Sequence, residues 1–504
     1  MRNFEIQLGH LCNDRCLFCI SGQLTHQRRA PILESQLLVE RVRAARDAGY
    51  DRLTLLGGEP TIQPAFLPVV EQAAQSGFKE IVIFSNGSRL ARTDLVDRIL
   101  ATGGTFEFRF SFQGGTPEAH EATTRRKGSF DQLMRAAEHV GARGQKVTIN
   151  TVLTRANYCS VPELASVVRR CHAVQLHLDV INPYDVPVLE DDELQAMQVR
   201  YSELGPPLLE LIKRLPRGFD VNVGNLPACA ALAVAPWIHH GGPTTWTVSA
   251  AVDGRRVLPI EKDKYDDKGS RKQKRDACQS CLLSANCAGY FARYSDWFGE
   301  DDFDPVTRLS LSRLADQETR LPDWARIYLA LDALRGAADH FLLEPIAQDA
   351  VRVALLQQGT RVVATVSTSV PSPHAKFAGG GVVLESHVGD LVRVQEWLAR
   401  LNAACGESQY PPAEDAIGVQ SPLQGRLDRL RAKAPFPELK WSASRLSETA
   451  LECDFESADG MVQLWWRLTP DGVRGGYRAP DAPQQRTVDA IRGLLQALGK
   501  ADVS

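Results

Sequence analysis

Three cysteines, Cys12, Cys16 and Cys19, stand in the run Cys-Asn-Asp-Arg-Cys-Leu-Phe-Cys. The C-x3-C-x2-C spacing puts three thiolates on one short loop. Three thiolates can bind three irons of a four-iron, four-sulfur (4Fe-4S) cluster, where a closed cluster takes four cysteines. The fourth iron is then open to a ligand, as a catalytic zinc keeps one position open. The bland alternative is an incomplete zinc knuckle. A second set comprises Cys229 and the run Cys278-x2-Cys281-x5-Cys287. Its four thiolates are enough for a closed four-iron site and suit structural zinc equally well. Such clustering points to metal or redox chemistry rather than to disulfides. The other four of the eleven cysteines, Cys159, Cys171, Cys405 and Cys453, are scattered and read as buried structural thiols.

Elements that position the first loop are legible over residues 1–185. Strand-like runs at 4–8, 52–56, 81–85, 106–112, 147–153 and 174–181 alternate with helical patterns at 37–48, 65–76, 94–101, 130–142 and 162–170. Gly49, Gly77, Gly103 and Gly144 follow helices and are C-cap candidates. Repeated strand–helix units imply a parallel sheet with right-handed crossovers. Six units are too few for a closed eight-stranded barrel. The expected fold is α/β, a partial TIM-like (β/α)6 barrel open on one side. All the candidate site residues of this region fall at the C-terminal ends of strands, where the βα loops of parallel barrels build their sites.

Further on, 190–216 reads as helical, 219–223 as extended and 261–275 as a charged loop. The expected domains are the core at 1–190, a cysteine-rich region at 191–320, and two C-terminal α+β units at 321–410 and 411–504. The first unit has strand patterns at 351–356, 362–367 and 382–385, a turn at Gly379-Gly380-Gly381 and a helix over 391–401. The second has strand patterns at 449–455 and 462–468, a turn at Gly475-Gly476 and a helix over 488–498. Their shared order suggests a tandem duplication.

Behind the second strand comes Gly57-Gly58-Glu59-Pro60-Thr61, behind the third Ser85-Asn86-Gly87, and at the end of the fourth Phe110-Ser111-Phe112-Gln113-Gly114. Together with the cysteine loop and its aromatic Phe18, these segments resemble the radical S-adenosylmethionine (radical SAM) superfamily, without a large gap over residues 1 to about 185. The resemblance implies that Cys12, Cys16 and Cys19 hold a 4Fe-4S cluster that binds S-adenosylmethionine. It gives Gly57, Gly58 and Glu59 to the methionine ammonium of that cofactor. The glycines would allow close backbone approach and Glu59 would complement the cation. Ser85 and Asn86 match the family's Thr-Asn-Gly segment. Gln113 stands where relatives carry an acid, which leaves Ser111 as the hydroxyl contact. The stretch from His120 to Phe130 is similar to the segment that sends a basic residue to the cofactor carboxylate; Arg125 takes that role, with Arg126 as competitor. Asn150 resembles the fifth-strand asparagine near the ribose. The cofactor would be cleaved reductively to methionine and a 5′-deoxyadenosyl radical, with reduced flavodoxin or ferredoxin as the electron donor.

The second cysteine set is similar to the auxiliary-cluster regions of peptide maturases with a SPASM or twitch domain, in part only. A SPASM domain would carry another cysteine soon after Cys287 and one soon after Cys229, and neither is present. One auxiliary 4Fe-4S cluster, with zinc as the alternative, is therefore expected. The basic run Lys262, Lys264, Lys268, Arg271, Lys272, Lys274 and Arg275 is diluted by aspartates and reads as solvated. His239-His240 reads as a solvent-facing pair.

Hydrophobic residues make up 44% of the 504 and charged residues 24%, as in a globular protein with a real core. The net charge of −3 gives no signal for nucleic acid or an acidic membrane. No apolar run approaches the ~18–20 residues of a membrane span. The first six residues lack the apolar region of a secretory signal, so a cytoplasmic location is expected. The leading function is a radical maturase acting on a peptide or protein, with the C-terminal units gripping a leader. The alternatives are a radical enzyme for a small molecule or nucleobase, and a non-catalytic metal-binding or interaction protein.

Overall fold

Strand residues in the first half of the chain alternate between apolar and polar, and that alternation dictates a sheet with two unlike faces. In the computed structural model the described residues are 2–184, 190–239, 245–248, 262–263, 269–315, 323–367, 382–406, 440–446, 450–457, 460–469 and 472–478. Strands β1 (Asn3–Gln7), β2 (Arg52–Leu56), β3 (Glu80–Ser85), β4 (Phe106–Ser111), β5 (Lys146–Leu153), β6 (Gln175–Val180), β7 (Asp220–Gly224) and β8 (Ile238–His239) lie side by side in chain order, all parallel. Beyond β1 the sheet continues with β9 (Thr245–Val248), parallel, and β10 (Lys262–Asp263), antiparallel. The sheet is thus wider than six strands, because short strands cover both edges that the six-unit core would leave unpaired.

Phe4, Ile6, Leu53, Leu55, Ile81, Ile83, Phe108 and Ile149 form one face and are buried. The crossover helices account for that burial. They are α1 (Ile20–His26), α2 (Ser35–Asp47), α3 (Phe66–Gln75), α4 (Thr93–Leu100), α5 (Pro117–Thr124), α6 (Ser129–Ala142) and α7 (Leu164–Arg170). The predicted C-cap glycines Gly49, Gly77, Gly103 and Gly144 all have φ between +68° and +85°, the left-handed region that ends helices. The short helices α1 and α5 were not apparent in the sequence pattern. The span 190–216, read as helical, is made of two helices, α8 (Asp191–Met197) and α9 (Tyr201–Arg214).

The opposite face carries Asn3, Glu5, Arg52, Thr54, Glu80, Glu107, Arg109, Lys146, Thr148, Gln175 and His177. Asn3, Glu5, Thr54, Glu107 and Thr148 are nonetheless buried, as the concave interior of a curved sheet requires. The α/β class and the TIM-like core agree with the expectation. At the strands' N-terminal end this interior is closed by ion pairs. Glu107 is fully buried: Arg52 Nη2 and Lys146 Nζ reach its Oε2 at 2.8 Å, and Oε1 accepts from Arg109 Nη2 at 2.7 Å and Thr148 Oγ1 at 3.0 Å. Glu80 takes the remaining contacts of Arg52 and Lys146.

The rest of the first compact unit, residues 1–306, holds β11 (Lys272–Gln273) antiparallel to β12 (Tyr290–Phe291), followed by α10 (Ala292–Phe298). The expected loop at 261–275 therefore contributes two strands where it is described. Lys264, Lys268 and His240 lie outside the described residues; His239 ends β8 and is exposed.

Residues 307–504 form the second unit. Helices α11 (Arg308–Ala315) and α12 (Asp323–Asp332) lead into a four-stranded antiparallel sheet of β13 (His340–Ala347), β14 (Ala350–Gln357), β15 (Thr360–Ser367) and β16 (Val382–Val388), then α13 (Leu391–Gly406). A second antiparallel sheet repeats the order with β17 (Lys440–Leu446), β18 (Ala450–Ser457), β19 (Gly460–Thr469) and β20 (Gly472–Arg478). Gly475 and Gly476 are not a turn: they lie inside β20, opposite Trp466 and Trp465. An edge strand tolerates such a pair because it has one free ladder side. The Gly379–Gly381 turn and the helix over 488–498 lie outside the described residues. Among the described residues no helix is long and apolar enough to cross a membrane.

Burial alone would raise the Glu107 carboxyl, but the Arg109 charge, the Lys146 hydrogen bond and Arg52 hold it down to about 2 from an ordinary 4.5. Its contribution to stability is therefore complete above about 4.5 and is lost as pH falls through about 2. Glu107→Gln leaves Arg52 and Lys146 on Glu80 alone and Arg109 with no carboxylate among the described residues, and should cost about 3–5 kcal/mol at pH 7. Urea unfolding across pH checks this: variant and wild type should converge towards pH 2, and a constant difference down to that pH refutes the assignment.

Candidate functional site

The cysteine loop leaves β1 and lies directly on the loop that leaves β2. Gly58 N donates to Gly9 O and Glu59 N to Leu11 O, both at 2.8 Å. Only glycine permits this contact. A Cβ on Gly58 would stand 2.1 Å from Leu11 O, and one on Gly57, at φ +146°, would stand 2.6 Å from Gly9 O. The close backbone approach read from the two glycines is thus made to the chain's own cysteine loop. Other elements hold the same loop. Gln63 Nε2 donates to Leu11 O (2.7 Å), Asn86 Nδ2 to Asn13 Oδ1 (2.9 Å), and Thr25 Oγ1 of α1 accepts from Cys12 N (3.0 Å). From the end of α5, Thr124 O accepts from Arg15 N (2.9 Å) and Thr123 O from Leu17 N (3.0 Å).

Cys12, Cys16 and Cys19 are half-buried on this loop. Burial pushes the Cys12 and Cys16 thiols up, and neighbouring cysteines add to both shifts. Thiols held protonated in this way must lose their protons on binding metal. Among the described residues no set of three or more His, Cys, Asp or Glu side chains closes on a single metal ion.

Glu59 is 1% exposed and ties two loops together. Its Oε1 accepts from Thr61 N (3.1 Å), Thr61 Oγ1 (2.5 Å) and Ser85 Oγ (2.8 Å), and its Oε2 from Asn86 N (2.7 Å). Burial raises its pKa against those hydrogen bonds. Oε1 is saturated, while Oε2 keeps a lone pair for one more donor. Ser85 and Asn86 are therefore partners of Glu59 in this structure: Ser85 through its hydroxyl and Asn86 through its backbone.

Ser111 and Asn150 are register partners at the ends of β4 and β5. Both are half-exposed, and neither side chain hydrogen-bonds to a described residue. Gln113, in the acid's place, is structural: its Oε1 accepts from Val152 N (3.1 Å), its carbonyl accepts from Asn157 Nδ2 (3.2 Å) and its N–H donates to His120 Nδ1 (2.9 Å).

The two arginines part company. Arg125 is exposed and ends α5 in the left-handed conformation, φ +54°. That kink turns Arg126 inward, where it pairs with Asp14 of the cysteine loop and donates to Gln132 Oε1 at 2.5 Å. Arg126 Nη2 is buried without a hydrogen-bond partner among the described residues. The structure brings Arg126, and not Arg125, to the cysteine loop. Asp14 was not singled out from the sequence; an acid inside the cysteine motif was the available signal, and its partner lies 112 residues away.

In the second cysteine set, Cys229 lies in the 3-10 helix Ala228–Trp237, far in sequence from Cys278, Cys281 and Cys287. Burial, and then the nearby Cys287, Cys281 and Cys278, push the Cys229 thiol up to about 12. Cys287 Sγ accepts from Gly289 N and Cys281 Sγ from Val306 N, each at 3.3 Å.

Residues 6–168 match the model of the Radical SAM superfamily. The PqqA peptide cyclase of Ruegeria pomeroyi is 30% identical over 152 residues, 30% of this chain and 39% of that protein. GTP 3′,8-cyclase 1 of Pseudomonas aeruginosa is 28% identical over 156 residues, 30% of this chain and 46% of that protein. The chain therefore spans less than half the length of these curated relatives. Among solved structures, Streptococcus suis SuiB bound to S-adenosylmethionine aligns with a TM-score of 0.41 and 15% identity, covering 60% of this chain and 76% of that one.

Gly58→Ala must push the cysteine loop off the β2 loop. If Cys12, Cys16 and Cys19 take up iron, the reconstituted variant should bind less of it than wild type. Iron analysis beside wild type checks this; equal loading would show that the contact does not shape the cysteine loop.

Proposed function

We propose that this chain, whose residues 6–168 belong to the radical SAM superfamily, is an enzyme that cleaves S-adenosylmethionine reductively and acts on a peptide. One observation carries the reading. The three-cysteine loop pairs through Asp14 with Arg126, whose Nη2 has no partner among the described residues, and at the C-terminal ends of β4 and β5 Ser111 and Asn150 stand side by side with no side-chain hydrogen bond to a described residue. These groups fit the cofactor. Cys12, Cys16 and Cys19 would hold a 4Fe-4S cluster, leaving one iron open. Oε2 of Glu59 would accept from the methionine ammonium. Arg126 would take the carboxylate as a charge-assisted donor. Ser111 and Asn150 would bind the ribose end. Cluster and cofactor together supply an electron and a carbon radical able to take hydrogen from an unactivated C–H bond.

The chain's own work is placement. Glu59 fixes the β2 and β3 loops against each other, and the Arg126–Asp14 pair holds the cysteine loop to α5. Cys229, Cys278, Cys281 and Cys287 would hold an auxiliary 4Fe-4S cluster, with zinc as the alternative, and reduced flavodoxin or ferredoxin would supply the electron. The peptide cyclase relative supports a peptide substrate. The GTP cyclase relative favours a second reading, a nucleotide substrate, tested by following GTP consumption in the loaded enzyme.

Anaerobically reconstituted protein should bind about eight irons per chain, and the Cys12→Ala, Cys16→Ala, Cys19→Ala triple variant about four. Full iron in the triple variant refutes the first site; about four irons and one zinc in wild type make the second a zinc site. Reduced wild type should release 5′-deoxyadenosine slowly without substrate. Glu59→Gln and Arg126→Ala should each weaken S-adenosylmethionine binding by about tenfold or more. Arg125→Ala should not. Unchanged affinity in Glu59→Gln removes the ammonium role, and the opposite order of the two arginine variants restores Arg125.

A further inference from the structure

The concave face of the sheet carries its polar side chains from floor to mouth, and at the floor the charges are paired. Arg52, Arg109 and Lys146 are ion-paired to Glu80 and Glu107. Nearer the C-terminal mouth, β6 presents His177 and, two residues on along the same face, Asp179. His177 is the register partner of Asn150 on one side and of Asn222 on the other.

Asp179 makes no hydrogen bond or ion pair with any described residue. The room for its carboxylate is made by its neighbour on β7. Its register partner is Gly224, and Asp179 Oδ1 lies 2.1 Å from where a Cβ on that glycine would stand.

His177 is also set up as an acceptor. Gln175 Nε2 donates to Asp220 Oδ2 at 2.6 Å, and a carboxylate only accepts, so the amide oxygen of Gln175 faces His177. His177 Nε2 meets that oxygen at 2.7 Å and must be the donor. Burial, with the Arg109 charge, pushes the imidazole down to about 4, so the ring is neutral near pH 7. Its Nδ1 then carries a lone pair, with no partner among the described residues.

Two acceptors, one of them charged, thus lie on this face with no donor among the described residues to satisfy them. A cation with two or more N–H groups fits both. A neutral donor would leave the carboxylate uncompensated, and an anion would be repelled. We propose that His177 and Asp179 form a subsite for a cationic side chain of the substrate, the ammonium of a lysine or the guanidinium of an arginine. The inference rests on the peptide reading above and adds a residue class to it. Asp179 takes the charge and His177 Nδ1 a second N–H, which orients the side chain against the wall that bears Ser111 and Asn150.

The probes are N-acetyl-lysine methylamide and N-acetyl-norleucine methylamide, which share an aliphatic stem and differ by the ammonium. Calorimetric titration into the full-length protein should show the lysine probe binding about tenfold tighter, the scale of one charge-assisted pair. In Asp179→Asn the two probes should bind alike. Equal affinity of both probes for wild type overturns the subsite and needs no variant. A lysine preference that survives Asp179→Asn overturns the role of Asp179. Neither measurement requires cofactor cleavage. Wild type that neither loads iron nor releases 5′-deoxyadenosine therefore overturns the radical reading, while the probe comparison stands on its own.

Discussion

The contact on which the site depends is backbone against backbone: Gly58 and Glu59 donating to Gly9 and Leu11. Two hydrogen bonds across a gap that admits no Cβ bring the cysteine loop into the layer of the β2 and β3 loops. The cysteine loop and Glu59 are positioned from there. Glu59, buried and holding four donors, transmits the position to Ser85 and Asn86. Its cost is desolvation of a carboxylate, offset by hydrogen bonds to both oxygens rather than by a cation. A carboxylate so satisfied is a rigid reference point, and its one spare lone pair is where a ligand's charge can add.

The sheet beneath this layer solves a different problem. Parallel strands buried on both faces usually read as continuous apolar runs. Here one face is apolar under the helices, and the other lines an interior that carries arginine, lysine and glutamate. Such an interior is stable only when its charges are paired, and the Glu107 network does that at the floor. Pairing at the floor leaves the mouth free to present unpaired groups. The contrast between Glu107, with four donors, and Asp179, with none among the described residues, divides the interior into a structural half and a half available to ligand.

The second cysteine set and the C-terminal sheets belong to separate levels of the architecture. The cysteines lie in the first compact unit, where Cys281 and Cys287 are fixed by backbone N–H groups rather than by charged side chains. The two antiparallel sheets of the second unit share strand number and order. Its glycine pair at 475–476 misled as a turn signal, because an edge strand accommodates what an inner strand would not.

Local chemistry was legible in the residues alone. The strand periods, the helix-ending glycines with positive φ, the cysteine spacings and the Gly57–Thr61 segment are properties of short stretches, and short stretches dictate backbone conformation and ligand type. The choice between Arg125 and Arg126 was not local. It turned on a single left-handed residue at the end of α5 and on Asp14, a partner 112 residues away. The same holds for Glu59, whose four donors come from two loops, and for Gln113, whose amide went to Val152 and not to a ligand. His177 and Asp179 carried no motif at all. Only the pairing of β6 with β5 and β7 put them on the concave face, beside Asn150 and opposite Gly224, because which side chains meet across a sheet is set by register and not by any residue's immediate neighbours in the chain.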